Sequence, residues 1–392
     1  MGVSKVLVVG GGITGSVLSL ALAQRGVQVD LVEISPVWHG VGHGITVQGN
    51  ALRAFEKVGV LDEVMSRGVL FNQMRLLKAD GSLIVEAPTP HTGGARLPST
   101  LGALRSDIQT VLCDRIYAAG VNVRLGLSVS SLAQDAHRAY VEFSDSTTAT
   151  YDLVVGADGI RSTMRGLLGI EGGPQPSGMS IWRVVADRPA EMDCAEVYYG
   201  GPRYKAGYSP ISKDKCYAYI LDEDGTVADF GGGPGNGNGP GNGNTDGATP
   251  AWQLMYERSE GYGGTWGKIR ETIGPDSHVS HTRIEWLLLA DPWFRGRAIV
   301  IGDAAHACPP LIAQGAAMCA EDAVVLAELV TAKAPPAQTL PAFMARRWPR
   351  VEIVVRNSLK LVAWERNLEP HTDQDVADLM NGTLGFLADR EA

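Results

Sequence analysis

Apolar and polar positions follow a changing period along the chain, and the first block is the most informative. Val6 to Val9 is a β-branched apolar run, Thr14 to Arg25 carries apolar residues at helical spacing, Gly26 suits the position just past a helix, and Val27 to Val32 is a second extended run. The pattern predicts strand, helix, strand at the very start. Alternating strand and helix signals continue over about residues 45–170. From Ser180 to Leu221 the runs become short, strand-like and rich in Trp and Tyr (Ile181 to Val185, Glu196 to Tyr199, Lys215 to Leu221), which predicts a separate, largely antiparallel sheet. Residues 231–248 are a Gly, Asn and Pro stretch that cannot bury anything and reads as a mobile loop. Beyond it a helical segment is predicted over about Trp252 to Thr272, a strand over Arg297 to Ile301 and a long helix over about Ala316 to Ala332. The last fifty residues read as helical, with Pro349 interrupting them.

Length turns this α/β pattern into an expectation of two domains or one discontinuous one, because 392 residues exceed what a single core usually serves. A formal charge of -9 argues against nucleic-acid and anionic-membrane partners. The five cysteines are scattered without a CxxC pair, so neither a disulfide framework nor a metal site is indicated and a cytoplasmic protein is expected. Lys5 followed by an apolar run to Ala23 superficially resembles a signal peptide, but its glycines and the strand that follows favour a soluble fold without a membrane span.

Candidate chemistry sits at strand ends. Gly10-Gly11-Gly12-Ile13-Thr14-Gly15 is a GxGxxG between the first strand and helix, where Gly10 suits a tight turn, Gly12 a close approach to pyrophosphate and Gly15 close packing. Glu33, closing the second strand, offers a carboxylate to a ribose and would repel a 2′-phosphate. Glycines in such a turn also serve packing alone. A second strand, Leu153 to Val155, runs into Gly156-Ala157-Asp158-Gly159, with Ser162 and Arg165 one helical turn on; a β-turn with a capping Asp is the alternative reading. A third runs into Gly302-Asp303, followed by His306, Pro309-Pro310 and Gln314-Gly315-Ala316 at a helix start that carries Glu321-Asp322. The helix would turn its positive end toward a ligand in front of it.

These three motifs in this order resemble the group A flavoprotein aromatic hydroxylases, which include 4-hydroxybenzoate and salicylate hydroxylases. The resemblance runs from Lys5 to about Val330. It implies a Rossmann-like FAD-binding domain from 1–72, 99–170 and 281–338, a mostly antiparallel substrate domain from 73–98 and 171–280, and a C-terminal helical segment at 339–392. It also implies cofactor contacts: Gly10, Gly12, Ile13, Thr14, Gly15 and Glu33 for the ADP half of FAD, Asp158 for FAD and the nicotinamide cofactor, and Gly302 and Asp303 for the ribityl chain. Pro310, Gly315 and Ala316 would lie before the flavin. Arg105, in Leu104-Arg105-Ser106-Asp107 with Gln109, becomes the counter-charge of the pyrophosphate. Gly44 and Thr46 fall in the loop beside the isoalloxazine, and Val129 near the adenine. Two departures are Ala313-Gln314-Gly315 where the family often has Gly-Gln-Gly, and Ala317 where it has Asn.

No second GxGxxG follows a strand, in keeping with enzymes that bind NADH or NADPH transiently. The resemblance implies hydride transfer to FAD, reaction with O2 to a flavin C4a-hydroperoxide, and oxygen transfer to a phenolic or heteroaromatic small molecule by a monomer or homodimer. A flavin dehydrogenase or oxidase on the same fold, or a non-catalytic protein of the GTPase-dissociation-inhibitor kind, are the competing readings. Tyr204 and Tyr208 are the catalytic candidates, since even spacing in a strand would place both on one face with Lys205 on the other. Arg183, Tyr217 and Tyr219 are the next to consider as the group that polarises the substrate, and ordinary sheet packing is the alternative for the tyrosines.

Overall fold

The computed structural model describes residues 2–38, 42–225, 249–290, 292–332, 334–389 and 392; the Gly, Asn and Pro stretch 231–248 lies outside the described residues. The opening pattern folds as strand Lys5–Val9, helix Ile13–Ala23 and strand Gln28–Glu33. Both strands join a six-stranded sheet in the order Phe294–Arg295, Ala298–Val300, Leu153–Gly156, Lys5–Val9, Gln28–Glu33, Asn122–Leu125. Every neighbouring pair is parallel except the first. A parallel sheet covered on both faces needs near-continuous apolar strands, and Val6 to Val9, Leu153 to Val155 and Ala298 to Val300 are all sealed from water.

The second large sheet has eight strands, centred on Gln175–Asp187 between Lys215–Glu223 and Val279–Leu288. It is antiparallel except where Gln73–Lys78 meets Ala195–Tyr199. Its two faces do different work. Trp182, Val184, Tyr198, Tyr208, Ala218 and Ile220 pack under Met255, Trp266 and Ile269. Met179, Ile181 and Leu221 point the other way, against Val362 of the C-terminal helix and Leu311.

Two helical expectations need correction. The segment Trp252 to Thr272 is two helices, Ala251–Arg258 and Gly264–Glu271, because Gly261 and Gly264 take φ +92° and +56°, which ends one helix before the next begins. Pro349 does not interrupt the last part of the chain: Pro336–Glu365 is one helix with Pro341 and Pro349 inside it. Tertiary contacts outweigh the lost backbone bond, since the residues on either side of Pro349 are pinned.

Those residues are Arg347 and Arg350, and they reach two adjacent carboxylates inside the buried helix Gly315–Thr331. Arg347 donates to Asp322 and to Glu321, each at 2.7 Å, and Arg350 donates to Glu321 at 2.7 Å. His306 Nε2 lies 2.7 Å from Asp322 Oδ2, Gly302 N donates to that same oxygen at 2.9 Å, and Asn50 ties Glu321 to Gln314. Burial alone would push both carboxyls up; Arg347 with His306 for Asp322, and Arg347 with Arg350 for Glu321, outweigh it and hold both below their usual range.

Removing one partner of such a pair leaves a charge buried without compensation, so Arg347→Met should cost roughly 3–5 kcal/mol of unfolding free energy, read from denaturant melts of the apoprotein. Ala313, between the turn Pro310–Ile312 and the buried helix, holds φ +54°, a left-handed conformation that a Cβ disfavours. Ala313→Gly should therefore stabilise the protein by about 0.5–1 kcal/mol in the same melts, the relief of strain exceeding glycine's extra freedom in the unfolded chain.

Candidate active site

The three glycine-acid motifs converge at the C-terminal ends of adjacent parallel strands, where an open α/β sheet offers a crevice. Gly10 has φ +104°, and a Cβ there would stand 2.4 Å from the carbonyl oxygen of Ala157, which welds the first motif to the second. A Cβ on Gly15 would meet the Gly10 carbonyl at 1.9 Å, so the helix packs directly on the turn. A Cβ on Gly302 would meet Thr14 Oγ1 at 2.5 Å, welding the first motif to the third. Around Gly12 the space is open: among the described residues, none beyond its chain neighbours places a heavy atom within 4 Å of where its Cβ would stand. The loop is thus held from behind and free in front, the shape a pyrophosphate requires.

Side chains brace it. Glu33 accepts from Gly11 N at 2.6 Å and from Ser35 N at 2.9 Å, which leaves its other lone pairs for a ribose. The Gly11 carbonyl receives Trp38 Nε1 and Gln109 Nε2, each at 2.8 Å. Gln109 stands in the Leu104-to-Gln109 motif, whereas Trp38 was not singled out in the sequence; an aromatic just beyond Glu33 was the available signal. Val129 opens the strand Val129–Gln134, close to where Leu127 N bonds the Glu33 carbonyl.

Asp158 accepts from Ser162 Oγ at 2.6 Å and Met164 N at 3.0 Å, so its carboxylate caps the short helix Thr163–Leu167. Arg165 is buried and donates to the carbonyls of Ile160, Gly172 and Ala304, a third weld, this one between the Asp158 and Asp303 turns. Asp303 is open to water at the cleft, yet protein crowds it enough that desolvation pushes its carboxyl up. Cys319 Sγ lies 3.5 Å from its Oδ1. Pro310 is exposed, and Gly315 and Ala316 open the buried helix.

Opposite lies a three-stranded sheet carrying Gly44 and Thr46, and beyond it one face of the eight-stranded sheet. A Cβ on Gly44 would clash with Tyr217 at 2.1 Å, and Thr46 Oγ1 is 3.3 Å from Ser209 Oγ. Arg105, at the start of the helix Arg105–Ala118, approaches Asp303, His43 and Arg183 closely enough to affect their charge. Burial, then Arg183 and Arg105, lower His43 to about 4, so its imidazole is neutral at physiological pH.

The two tyrosine candidates do not share a face. In the strand Lys205–Pro210 the residues Lys205, Gly207 and Ser209 turn to the cleft, as the contacts of Gly207 with Tyr219 and of Ser209 with Thr46 show. Tyr208 turns away, fully buried with its hydroxyl donating to Glu196. Tyr204 precedes the strand, so alternation does not reach it, and it packs partly buried against the cluster of Met179, Ile181 and Leu221 on the cleft side. Lys205 Nζ is 2.5 Å from Glu365 Oε1, a pair 160 residues apart that no local pattern announces.

Comparison with known proteins gives this geometry a relationship. The FAD binding domain family matches residues 3–209 and 273–358. The 2-heptyl-3-hydroxy-4(1H)-quinolone synthase of Pseudomonas aeruginosa is 32% identical over 374 residues, covering 92% of this chain and 90% of that one. The 3-amino-4-hydroxybenzoate 2-monooxygenase of Streptomyces cremeus is 26% identical, covering 91% and 86%. Among solved structures, 2-methyl-3-hydroxypyridine-5-carboxylic acid oxygenase superposes with a TM-score of 0.80 at 22% identity, covering 100% of this chain and 98% of that one. Klebsiella pneumoniae HpxO complexed with FAD and uric acid superposes with a TM-score of 0.77 at 20% identity, covering 98% and 96%. A cleft built from three such motifs, in a chain so matched, belongs to the FAD-dependent aromatic hydroxylases.

Proposed function

We propose that the chain hydroxylates a small phenolic or heteroaromatic ring, using NADH or NADPH and O2, with FAD lying along the cleft from Glu33 to Asp303. The convergence of three strand-end motifs around open space at Gly12 carries this reading. In it Glu33 takes the adenosine ribose, Gly10, Gly12, Ile13, Thr14 and Gly15 admit the pyrophosphate, and Arg105 supplies counter-charge. Asp303 and Gly302 hold the ribityl chain, while Pro310, Gly315 and Ala316 border the ring system opposite Gly44 and Thr46. The helix Gly315–Thr331 turns its positive end there and favours negative charge on the flavin. FAD held there would supply the redox chemistry, with NADH or NADPH as reductant and O2 as the source of one oxygen atom for the ring and one for water.

The protein's own share is to hold the ring, keep water out and protect the reduced cofactor. The aromatic face of the eight-stranded sheet suits a flat ligand, as expected for a relative of enzymes named for quinolone, aminohydroxybenzoate and hydroxypyridine substrates. We divide the chain as flavin-holding residues 1–72, 99–170 and 281–338, substrate-facing residues 73–98 and 171–280, and a helical remainder at 339–392. Among the described residues no helix is long and apolar enough to cross a membrane. A cytoplasmic monomer or homodimer completes the proposal.

Purified protein should carry non-covalent FAD. Asp303→Ala removes a charge-assisted hydrogen bond and should weaken FAD binding about ten- to hundredfold with little change in melting temperature of the apoprotein; Glu33→Arg should weaken it at least as much. Fluorescence titration of apoprotein with FAD checks both, and unchanged affinity in both variants would overturn the cofactor placement.

NAD(P)H oxidation should be slow alone and several-fold faster with the right aromatic, because an ungated reduced flavin would waste its oxidant. The measurement is a panel of hydroxyquinolones, aminohydroxybenzoates, hydroxypyridine carboxylates and urate, followed by product mass under labelled O2. Label appearing only in water or peroxide, never in product, would point to an oxidase.

A further inference from the structure

Arg53 is left over from the buried charge cluster around Glu321. It is only 9% exposed, and its Nη2 lies 3.6 Å from Glu321 Oε1, beyond hydrogen-bonding reach; among the described residues that sealed nitrogen has no hydrogen-bond partner. The cause is crowding. Glu321 Oε1 already accepts from Asn50 at 3.1 Å and Arg350 at 2.7 Å, and Oε2 from Arg347 at 2.7 Å and Arg350 at 3.0 Å. A carboxylate has about four lone-pair sites, so a further arginine finds none vacant.

Arg53 also lines a pocket of about 300 Å³, with Glu56 and Lys57 of its own helix, Gly49–Lys57, and with the loop from Gly93 to Arg96. The loop is fixed to the helix start in advance. Thr92 Oγ1 accepts from Asn50 N at 3.1 Å and donates to Asn50 Oδ1 at 3.0 Å, and a Cβ on Gly93 would stand 2.2 Å from the Gly49 carbonyl oxygen. Arg53, Lys57 and Arg96 thus form a positive spot on a chain whose net charge is -9. Glu56 and the negative end of the helix oppose an anion there. Glu56 is largely spent on Arg96, in an exposed pair that holds neither side chain firmly, and the desolvated Arg53 outweighs the helix end.

A buried guanidinium that its carboxylate cannot satisfy destabilises the protein until an anion completes it. A phosphate brings nearly two negative charges and three acceptor oxygens, enough to meet Arg53, Lys57 and Arg96 together. The pocket stands at the lower limit of ligand sites, which admits a phosphate on a small carrier and not a dinucleotide. We infer that this pocket is a binding site for a phosphate dianion, free or as the monoester of a small molecule, built from residues that take no part in the flavin cleft.

The test uses protein saturated with FAD, so that the cofactor covers the glycine loop, titrated calorimetrically with inorganic phosphate, glycerol 3-phosphate and AMP in chloride buffer at constant ionic strength. At least one should bind one to one with a Kd of about 1 mM or tighter. Lys57→Ala and Arg96→Ala should each weaken that binding about three- to tenfold, with melting temperature in the absence of phosphate near wild type, and Arg53→Gln about ten- to hundredfold. Lys268→Ala, which removes an exposed cation elsewhere, should leave it unchanged. If Arg53→Gln does not fold, the two surface variants decide. A monoester that binds more tightly than inorganic phosphate supports the inference and gives the ligand a carrier; inorganic phosphate binding most tightly supports it and identifies the free ion. No binding, or binding equal in wild type and every pocket variant, means an adventitious ion only and overturns it. A raised KM for NADPH but not NADH in Arg96→Ala, without phosphate binding to the FAD-loaded protein, also overturns it and assigns the charges to the nicotinamide cofactor.

Discussion

Two carboxylates side by side in a helix, both buried, set the terms for the rest of this molecule. Glu321 and Asp322 sit in the second turn of Gly315–Thr331, which is buried along nearly its whole length. Ionised carboxylates at that depth require partners on every side, and each partner brings an element with it. Arg347 and Arg350 bring the long C-terminal helix, Asn50 brings the helix Gly49–Lys57, and His306 and Gly302 bring the turn that carries Asp303. The turn that carries Asp303 to the cleft is therefore held in place from behind by a second, buried carboxylate, Asp322.

The welds between motifs have the same logic on a smaller scale. Gly10 against Ala157, Gly302 against Thr14 and Arg165 against the Ala304 carbonyl leave no room for the three turns to shift independently. Bending one moves all three. The side chains that contact the cleft can then be few, because the backbone already fixes their separation.

Much of this was legible in the sequence, and the reason is locality. A βα turn, its glycines and the acid at the end of the next strand are fixed by residues within one supersecondary unit, so Gly10, Gly12, Gly15 and Glu33 could be read directly. The face of a strand is a different matter. Alternation showed that Lys205 and Tyr208 oppose each other, but which parity meets the cleft depends on how the sheet packs, and Tyr204 lies before the strand starts. Pro349 misled for a related reason: its flanking arginines are anchored in another helix, and no local propensity records that. The left-handed Ala313 was visible only as a departure from Gly-Gln-Gly, and its backbone angle explains why that position favours glycine.

The place of Arg347 along the chain has a consequence for the order of events in biosynthesis. The glycine loop leaves the ribosome well before Arg347 and Arg350, the arginines that meet Glu321 and Asp322. Until Arg347 and Arg350 emerge, the turn bearing Asp303 hangs on a helix whose two acids lack their two buried arginine partners from the long helix. Nascent chains should thus form the glycine turn early, while the Asp303 turn stays incompletely braced until residue 350 has emerged.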